Sequence, residues 1–452
     1  MTQTAQPIAA RDTDLLSDLI ARARRKGASA ADAVLFRSTS VSASLRLGKT
    51  ELIERSESAD IGLRVLIGQQ QAVISTSDIR PQNFDTLVER ALDMAKATPD
   101  DAFAGIAAPE QVSRNIPDLQ LTDLNEPSAE KLVQLAGEVE AAALAVAGVT
   151  NSDGGSASWG QSDIALVASN GFSGSYGTSS CGLSVSVVAG SGMAMETDYD
   201  YDSARRVSDL RAAADIGKVA GERAVRRLNP RKVKTAQVPI VFEDREARSL
   251  LGAFLSGING ASIARKASFL QERMGQQVFT NTVNIIEDPL IVGGPRSRPF
   301  DAEGLAPQRR ALIENGRLTG WILDLRSARQ LGLAPTGNAT RGVSSPPGPG
   351  TSNVWLEAGA QSPEDMIAEI KDGFYLTSFL GHGLNLVTGD FSRGASGFWI
   401  ENGKLAYPVS EVTIAGNLSD MFQKLRPASD LKRRFGMDTP TVRVDGMTVA
   451  GI

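Results

Sequence analysis

Asn-Gly dipeptides set between strand-like runs constrain the fold of this chain more than any other pattern. They occur at Asn170-Gly171, Asn315-Gly316 and Asn402-Gly403. Asn and Gly tolerate the positive φ angles that a hairpin turn of type I′ requires. The two later turns lie in a region where strand-like runs alternate with glycine-containing turns. This region therefore predicts a large antiparallel β-rich architecture, barrel-like in form.

The rest of the chain contains segments with the helical spacing of apolar residues and, between them, segments that alternate like strands. Between the first two helical segments, Val41, Ala43 and Leu45 alternate with polar residues, as in a strand with one buried face. We therefore predict an α+β fold, with small N-terminal α+β domains followed by a large C-terminal antiparallel β-rich domain with flanking helices. The predicted helices lie at about 14–26, 81–97, 128–146, 207–228 and 245–255.

A chain of 452 residues exceeds the size of one ordinary hydrophobic core. We place an N-terminal α+β domain at 1–97, a connector at 98–127, a second α+β region at 128–232 and the β-rich domain at 233–452. The second region can pack with the first as one N-terminal unit. Residues 336–350 are rich in Gly and Pro and show neither the helical nor the strand period of apolar residues, which predicts an exposed loop.

The composition is typical of a soluble cytoplasmic protein. The net charge of −5 gives no electrostatic basis for binding nucleic acid. The single cysteine, Cys181, excludes an intramolecular disulfide, and its β-type surroundings indicate a buried hydrophobic residue rather than a nucleophile. No apolar run is long enough for a signal-peptide core or a membrane span. We expect a cytoplasmic protein without direct contact to nucleic acid or membrane.

One histidine and one cysteine exclude most zinc chemistry on this chain alone. A catalytic zinc ion usually has three protein ligands drawn from His, Cys and carboxylates. The pairs HExxH and HExxxH cannot exist, because His382 is the only histidine. An all-carboxylate magnesium or manganese site stays open, although no clustered acidic motif favours it. The alternating acidic run predicts a solvated strand or loop face instead; it comprises Glu196, Asp198, Asp200 and Asp202.

Residues 376–421 combine several glycines with polar side chains and include the only histidine. Glycine lets the backbone approach a ligand or another chain closely. Composition leaves two interpretations open, namely ordinary turns between strands or the lining of a site. The candidate peptide- or partner-binding residues are His382, Gly383, Asn385, Asp390, Ser392, Arg393 and Asn417.

Several stretches of the C-terminal half resemble the TldD/PmbA (TldE) family. They read PRSRPFDAEG at 295–304, ALIENGRL at 311–318 and TGNATR at 336–341. The glycine-rich stretch from GHG at 381–383 to GN at 416–417 and the run PTVRVDG at 440–446 also match. The three-part layout of the chain fits the same family, so the resemblance extends over nearly the whole chain.

This resemblance implies a zinc-dependent peptidase built from two related subunits, one TldD-like and one PmbA/TldE-like. In the TldD type, a helix of the third region bears HExxxH, with Glu as general base. The equivalent helix here starts at Glu243 and contains no histidine, and Cys181 lies outside the C-terminal part where the third ligand belongs. The chain therefore resembles PmbA/TldE, the subunit without a metal site. We expect no catalytic residue and no cofactor on this chain, with zinc on the partner.

The resemblance further implies a TldD-like catalytic subunit as partner and extended or unfolded peptides as ligands, held by β-augmentation. Whether the isolated chain forms a homodimer stays open. One alternative is a metal-free hydrolase in which His382 acts with Asp390 and with Ser392 or Ser396. The other is a regulatory protein of the gyrase-modulator type without a peptidase role, for which the acidic composition argues against direct DNA contact.

Overall fold

The computed structural model describes residues 8–452, and one antiparallel sheet organises its N-terminal half. The elements are α1 (Ile8–Arg25), β1 (Ala30–Arg46), β2 (Lys49–Ile67), β3 (Gln70–Thr76), α2 (Phe84–Lys96), α3 (Ala129–Leu144), β4 (Val149–Ala168), β5 (Ser173–Ala189), β6 (Glu196–Ala204) and α4 (Ala213–Arg226). The strand order is β3-β2-β1-β4-β5-β6. Strands from both sides of the connector therefore form one sheet.

Apolar side chains of β1 point alternately to the two faces of this sheet, and each face is covered by a different part of the protein. Ala33 and Leu35 pack beneath α1 and α2, and Val41 with Ala43 continues the same face beneath α3 and α4. Val34, on the opposite face, joins an aromatic cluster that includes Phe300 of the C-terminal half. Side chains of a strand alternate between faces, so helices cover one face and the C-terminal domain meets part of the other.

The C-terminal half contains a five-stranded closed barrel. Its elements are β7 (Ala236–Phe242), α5 (Asp244–Gly257), α6 (Gly260–Ala264), β8 (Ile285–Asp288), β9 (Arg310–Glu314), β10 (Arg317–Leu318), α7 (Leu325–Leu331), β11 (Ala339–Thr340), β12 (Gly348–Pro349), β13 (Asn353–Leu356), α8 (Pro363–Ala368), β14 (Asp372–Leu380), β15 (Asp390–Glu401), β16 (Lys404–Asn417), α9 (Leu418–Lys424), β17 (Leu425–Pro427), β18 (Met437–Asp438) and β19 (Val442–Ala450). Strands run in the order β16-β15-β14-β7-β19-β17, and pairing of β16 with β19 closes the ring. The α+β fold class and the barrel-like C-terminal domain are confirmed.

A second sheet, in the order β10-β9-β8-β13-β18, shares the hydrophobic core of the barrel. Phe254 of α5 contacts Phe279 edge-on, and Phe279 stacks on Phe422 of α9 at 4.5 Å between ring centroids. Aromatic contacts of this kind add to the burial energy and fix relative orientation. These contacts hold the C-terminal half of α5 in the core, while its N-terminal turn follows directly on β7, where the candidate site begins.

The glycine-containing turns predicted at Asn315-Gly316 and Asn402-Gly403 are confirmed. Asn315 and Gly316 have φ of 48° and 77°, and Asn402 and Gly403 have 48° and 78°, as a type I′ turn requires. At the third hairpin, between β4 and β5, only Gly171 has a positive φ, of 95°. Its N–H donates to the carbonyl of Ala168, so this loop is a longer turn with a left-handed glycine, and the type I′ prediction is wrong there.

Three of the five predicted helices lie near their expected bounds. The first, predicted at 14–26, starts earlier, at Ile8, and the fourth, predicted at 207–228, starts later. A 3₁₀ turn occupies Val207–Asp209, and α4 begins only at Ala213. The prediction of an exposed loop at 336–350 holds for residues 344–346, which are exposed, but is wrong for the start of the segment. Ala339 is fully buried and Asn338 nearly so, and β11 pairs with β12. This segment packs against the N-terminal sheet, where Arg341 pairs with Asp32. None of the helices within residues 8–452 is long and apolar enough to cross a membrane.

Candidate functional site

Three of the four acids in the run on β6 are buried and Glu196 is half-buried, so the prediction of a solvated face is wrong. Asp198, Asp200 and Asp202 are 4%, 7% and 1% exposed. Alternation turns all three carboxylates toward α4, α5 and the segment after residue 430. Arginines from those elements neutralise them, which is why burial is tolerated. The arginines are Arg211, Arg223, Arg227, Arg245 and Arg434.

Arg245 connects this run to the barrel. Its Nη1 donates to Asp198 Oδ1 at 2.8 Å, and its Nη2 donates to the carbonyl oxygen of Thr377 on β14 at 2.9 Å. The guanidinium also lies 4.8 Å from the ring centroid of Tyr199. Burial acts to raise the pKa of Asp198, but hydrogen bonding and charge from Arg245 outweigh it, and the net pKa is lowered. The first turn of α5 is therefore tied to both domains.

Two further carboxyl groups surround that first turn. Burial raises the pKa of Glu243, which precedes α5, and of Glu246, one residue after Arg245. The charge of Arg393 on β15 opposes the shift at Glu246, which places the first turn of α5 beside the glycine-rich stretch. Carboxyls with raised pKa values in a cleft are a common feature of functional sites, although structural ion-pair networks produce them too.

The residues at α5 do not form a zinc site. Arg245 occupies its first turn as a cation already paired with Asp198. Cys181 is buried on β5, and burial raises the pKa of its thiol to about 11, far from the thiolate that binds metal. His382 lies exposed on a loop between β14 and β15. Within residues 8–452, no three His, Cys, Asp or Glu side chains lie together as metal ligands. No step through a metal on this chain follows from these donors.

The loop between β14 and β15 is held by a local polar network. Asn385 Oδ1 accepts from the backbone N–H of Val387, and Thr388 Oγ1 donates to Asp390 Oδ2 at 2.6 Å. Asn417 Nδ2 donates to the carbonyl of Thr388 and to Asp390 Oδ1. The hydrogen bonds from Thr388 and Asn417 lower the pKa of Asp390. The structure therefore brings Asn385, Asp390 and Asn417 together, with their polar atoms engaged in shaping the loop.

Gly383 and Arg393 fix the other side of the same loop. A Cβ atom on Gly383 would lie 1.5 Å from the carbonyl oxygen of Ser392, so only glycine allows this approach. The Gly383 carbonyl accepts from the backbone N–H of Ser392 at 2.7 Å. Arg393 donates twice to the carbonyl of Gly381 and lies 3.9 Å from the ring centroid of Phe379. The side chain of Ser392 remains exposed.

His382 is exposed and, among the described residues, hydrogen-bonds to none of the groups that a catalytic triad would need. Asp390 is engaged with Thr388 and Asn417, while Ser396 is only 5% exposed within β15. A nucleophile, base and orienting acid must be mutually hydrogen-bonded to act together. The arrangement does not support a metal-free hydrolase built on His382.

The loop also presents apolar side chains to solvent. Leu380, Leu384 and Val387 are 57%, 39% and 58% exposed, and they lie within eight residues of one another around His382. Large apolar side chains exposed close together are typical of a surface that another chain covers. The site can therefore offer an apolar contact, an imidazole and exposed backbone groups, but no assembled catalytic group.

Sequence patterns did not predict the salt bridges between the buried acids of β6 and the arginines around them. A usable signal existed, because the acids alternate at strand spacing and arginines recur at 211, 223 and 227. An alternating row of acids followed by a helix with several arginines can indicate paired, buried charge as well as a solvated face.

Comparison with known proteins relates all three parts of the chain to one family. The PmbA/TldA metallopeptidase domain 1 matches residues 31–95, the central domain of that family matches residues 122–228, and its C-terminal domain matches residues 235–451. Metalloprotease PmbA of Escherichia coli O157:H7 is 36% identical over 424 residues, which are 93% of this chain and 92% of that protein.

Solved structures share the fold along almost the whole chain. A protein from Bacteroides thetaiotaomicron VPI-5482, described as a candidate modulator of DNA gyrase, superposes with a TM-score of 0.91 at 26% identity, covering 99% of this chain and 100% of that one. TldE from Thermococcus kodakarensis superposes with a TM-score of 0.85 at 22% identity, covering 97% and 100%. The three-part architecture is common to all of them.

Proposed function

The chain belongs to the PmbA/TldD family of metallopeptidase-like proteins, and from this premise we propose that it is the subunit without a catalytic metal in a heteromeric zinc peptidase. Its partner would be a TldD-like chain that carries the zinc ion. The role of this chain would be to enclose the reaction cavity and hold unfolded or extended peptides. The lone cysteine suits a cytoplasmic location for such a complex.

The observation that carries this proposal is the state of the first turn of α5. Arg245 is there, bound to Asp198 and Thr377, and the flanking carboxyls are half-buried with raised pKa values. A zinc site needs about three ligands drawn from His, Cys and carboxylates, and a guanidinium is not one of them. The turn offers carboxylates alone, and among residues 8–452 no three such side chains lie together as ligands. The turn therefore serves to position neighbouring elements rather than to bind the metal.

Two features support a peptide-holding role. The loop around His382 exposes apolar side chains and backbone groups beside α5. In addition, β3 pairs only with residues 61–67 of β2, so among the described residues the preceding part of β2 has a free backbone edge. An extended peptide can add to such an edge through main-chain hydrogen bonds, largely independent of its sequence.

Reconstitution tests the proposal. The purified chain is mixed with a TldD-like chain, and cleavage of an unfolded peptide is followed with and without a chelator. We expect metal-dependent cleavage by the mixture and none by this chain alone. Cleavage by this chain alone, unaffected by the chelator, would contradict the proposal. An inactive mixture in which the two chains do not associate would contradict it as well.

A regulatory role is the second candidate, favoured by the description of the Bacteroides structure and its 26% identity. A pull-down of this chain from its native host distinguishes the peptidase-subunit proposal from the regulatory one. Recovery of a TldD-like chain supports the peptidase subunit, and recovery of a topoisomerase without a TldD-like chain supports the regulator.

A further inference from the structure

A cavity of about 480 Å³ lies where the N-terminal sheet meets the C-terminal domain, and its lining is unusually basic. Arg205 and Arg206 follow β6 from the N-terminal side, and Arg433 and Arg434 precede β18 from the C-terminal side. Asp209 is the only carboxylate in the lining. This concentration of cations is notable in a chain whose net charge is −5.

Arg205 is held in place without a carboxylate. Its Nη1 donates to the carbonyl of Ser179, and its Nη2 donates to the carbonyls of Gly294 and Pro295 across the domain boundary. Its Nε is buried and lacks a hydrogen-bond partner. Burial lowers the pKa of Arg205, as expected of a cation removed from water without a compensating anion. The guanidinium is thus rigid, charged and not neutralised.

The neighbouring arginines are also largely unneutralised. Among residues 8–452, neither Arg206 nor Arg433 forms a salt bridge, and Arg433 lies 4.8 Å from the ring centroid of Trp355. Arg434 alone pairs with a carboxylate, that of Asp202 at 2.7 Å. Two of the four guanidinium groups, those of Arg206 and Arg433, are therefore exposed and available to an external anion, while Arg205 adds a fixed positive charge whose Nη donors are already used.

Beyond Arg434 lies a second cavity of about 260 Å³, in whose lining the basic side chains outnumber the two carboxylates, those of Asp200 and Asp244. There, Lys432 is exposed, and Arg248 lies 4.2 Å from the ring centroid of Phe435. Arg434 lines both cavities, so they form one surface that we call the arginine groove. It consists of Arg205, Arg206, Arg248, Lys432, Arg433 and Arg434.

We propose that the arginine groove binds an extended peptide segment that carries two or more carboxylates. Guanidinium groups form bidentate hydrogen bonds with carboxylates, and contact with the rings of Trp355 and Phe435 holds the guanidinium groups of Arg433 and Arg248 in position. The volume suits a few residues rather than a folded domain. A nucleic acid is disfavoured because its continuous phosphate charge would be repelled by the acidic surface elsewhere. The inference rests on the proposed function, since it assigns an acidic class of peptide to the peptide-holding subunit.

The test measures fluorescence anisotropy of a labelled peptide of about ten residues in which Glu alternates with Ala. The same peptide with Gln in place of Glu is the neutral reference. The full-length chain is compared with the double variant Arg206→Glu/Arg433→Glu, both of whose sites are exposed. Arg90→Glu, on the exposed face of α2 and outside both cavities, is the matched control. Circular dichroism verifies that each variant is folded.

We expect the Glu peptide to bind at least about tenfold more tightly than the Gln peptide, with a preference that weakens as salt rises. The double variant should lose that preference, and Arg90→Glu should keep it. Equal affinity for both peptides, or equal binding by the double variant, would overturn the inference. Binding of a single-stranded oligonucleotide in place of the Glu peptide would also overturn it. If the reconstituted complex cleaves neutral peptides while no acidic preference exists, the inference fails and the proposed function stands.

Discussion

Arg245 Nη1 lies 2.8 Å from Asp198 Oδ1, and this contact joins the first turn of α5 to the edge strand of the N-terminal sheet. The same side chain donates to Thr377 on β14, so one guanidinium orders three elements around the candidate site. We infer that the sheet, the helix and the barrel keep a fixed relation at this point because a buried charge would otherwise be left without its partner.

Replacing Arg245 by alanine should destabilise the protein by about 2–4 kcal/mol, since buried Asp198 would retain only Arg227 as a close cation. Urea unfolding monitored by circular dichroism measures this loss. Arg90→Ala, on the exposed face of α2, should change the free energy of unfolding by less than about 0.5 kcal/mol. Similar stabilities for the two variants would show that the contact is not structural.

Gly383→Ala should disturb the loop around His382, because the new methyl group would lie 1.5 Å from the carbonyl oxygen of Ser392. We expect a loss of about 1–3 kcal/mol together with weaker association with the TldD-like chain. Gly252→Ala provides the control, because no atom lies within 4 Å of its Cβ position in α5. That substitution should be neutral or stabilising by up to about 1 kcal/mol. Unchanged stability and association of the Gly383 variant would refute the close approach.

The raised pKa of Glu303 predicts that the free energy of unfolding depends on pH. Burial and the neighbouring charge of Asp301 raise the pKa of Glu303 well above its usual range, and its Oε2 accepts from the N–H of Leu325. A raised pKa in the folded state means that this group favours folding most at low pH, and the advantage is lost as pH rises through the folded pKa.

Glu303→Gln keeps an acceptor but carries no charge, so the variant should be more stable than the parent by about 1–2 kcal/mol at pH 8. The difference should narrow toward pH 4. Thermal melts across this range measure it, and Glu110→Gln at an exposed position should show no such trend. A Glu303→Gln variant that is less stable at pH 8 would contradict the assignment.

Cys181 should be inert in the native protein. Burial raises the pKa of its thiol to about 11, which leaves roughly a thousandth of it as thiolate at pH 8. Iodoacetamide at pH 8 should label the thiol only after denaturation, as mass spectrometry can record. Rapid labelling of the folded chain would mean that the β5 surface opens.

Local patterns predicted the parts of the fold that local physics decides. The helical stripe at 81–97 gave a helix there because its apolar residues face one sheet, and Asn315-Gly316 and Asn402-Gly403 gave their turns because both residues accept positive φ. The glycines of 376–421 predict a close approach of two backbone segments, and Gly383 makes such an approach to Ser392 within the loop itself.

Contacts between distant segments decided what local patterns could not predict. Asp198 can be buried because Arg245, 47 residues later in the chain, forms a salt bridge with it. A pattern read over a short stretch of sequence does not include both partners. Residues 336–350 read as an exposed loop, but Arg341 pairs with Asp32, 309 residues away. Among the candidate residues, Asn385, Asp390 and Asn417 maintain the loop through hydrogen bonds to its own backbone and side chains, a role that composition alone could not separate from ligand binding.

Zinc stoichiometry tests the central claim most directly. The isolated chain, the TldD-like chain and their purified complex are each dialysed against zinc and measured by elemental analysis. Our account predicts no stoichiometric zinc on the isolated chain, and equal zinc content per TldD-like chain whether it is alone or in the complex. Stoichiometric zinc on the isolated chain that is lost in the His382→Ala variant would contradict it.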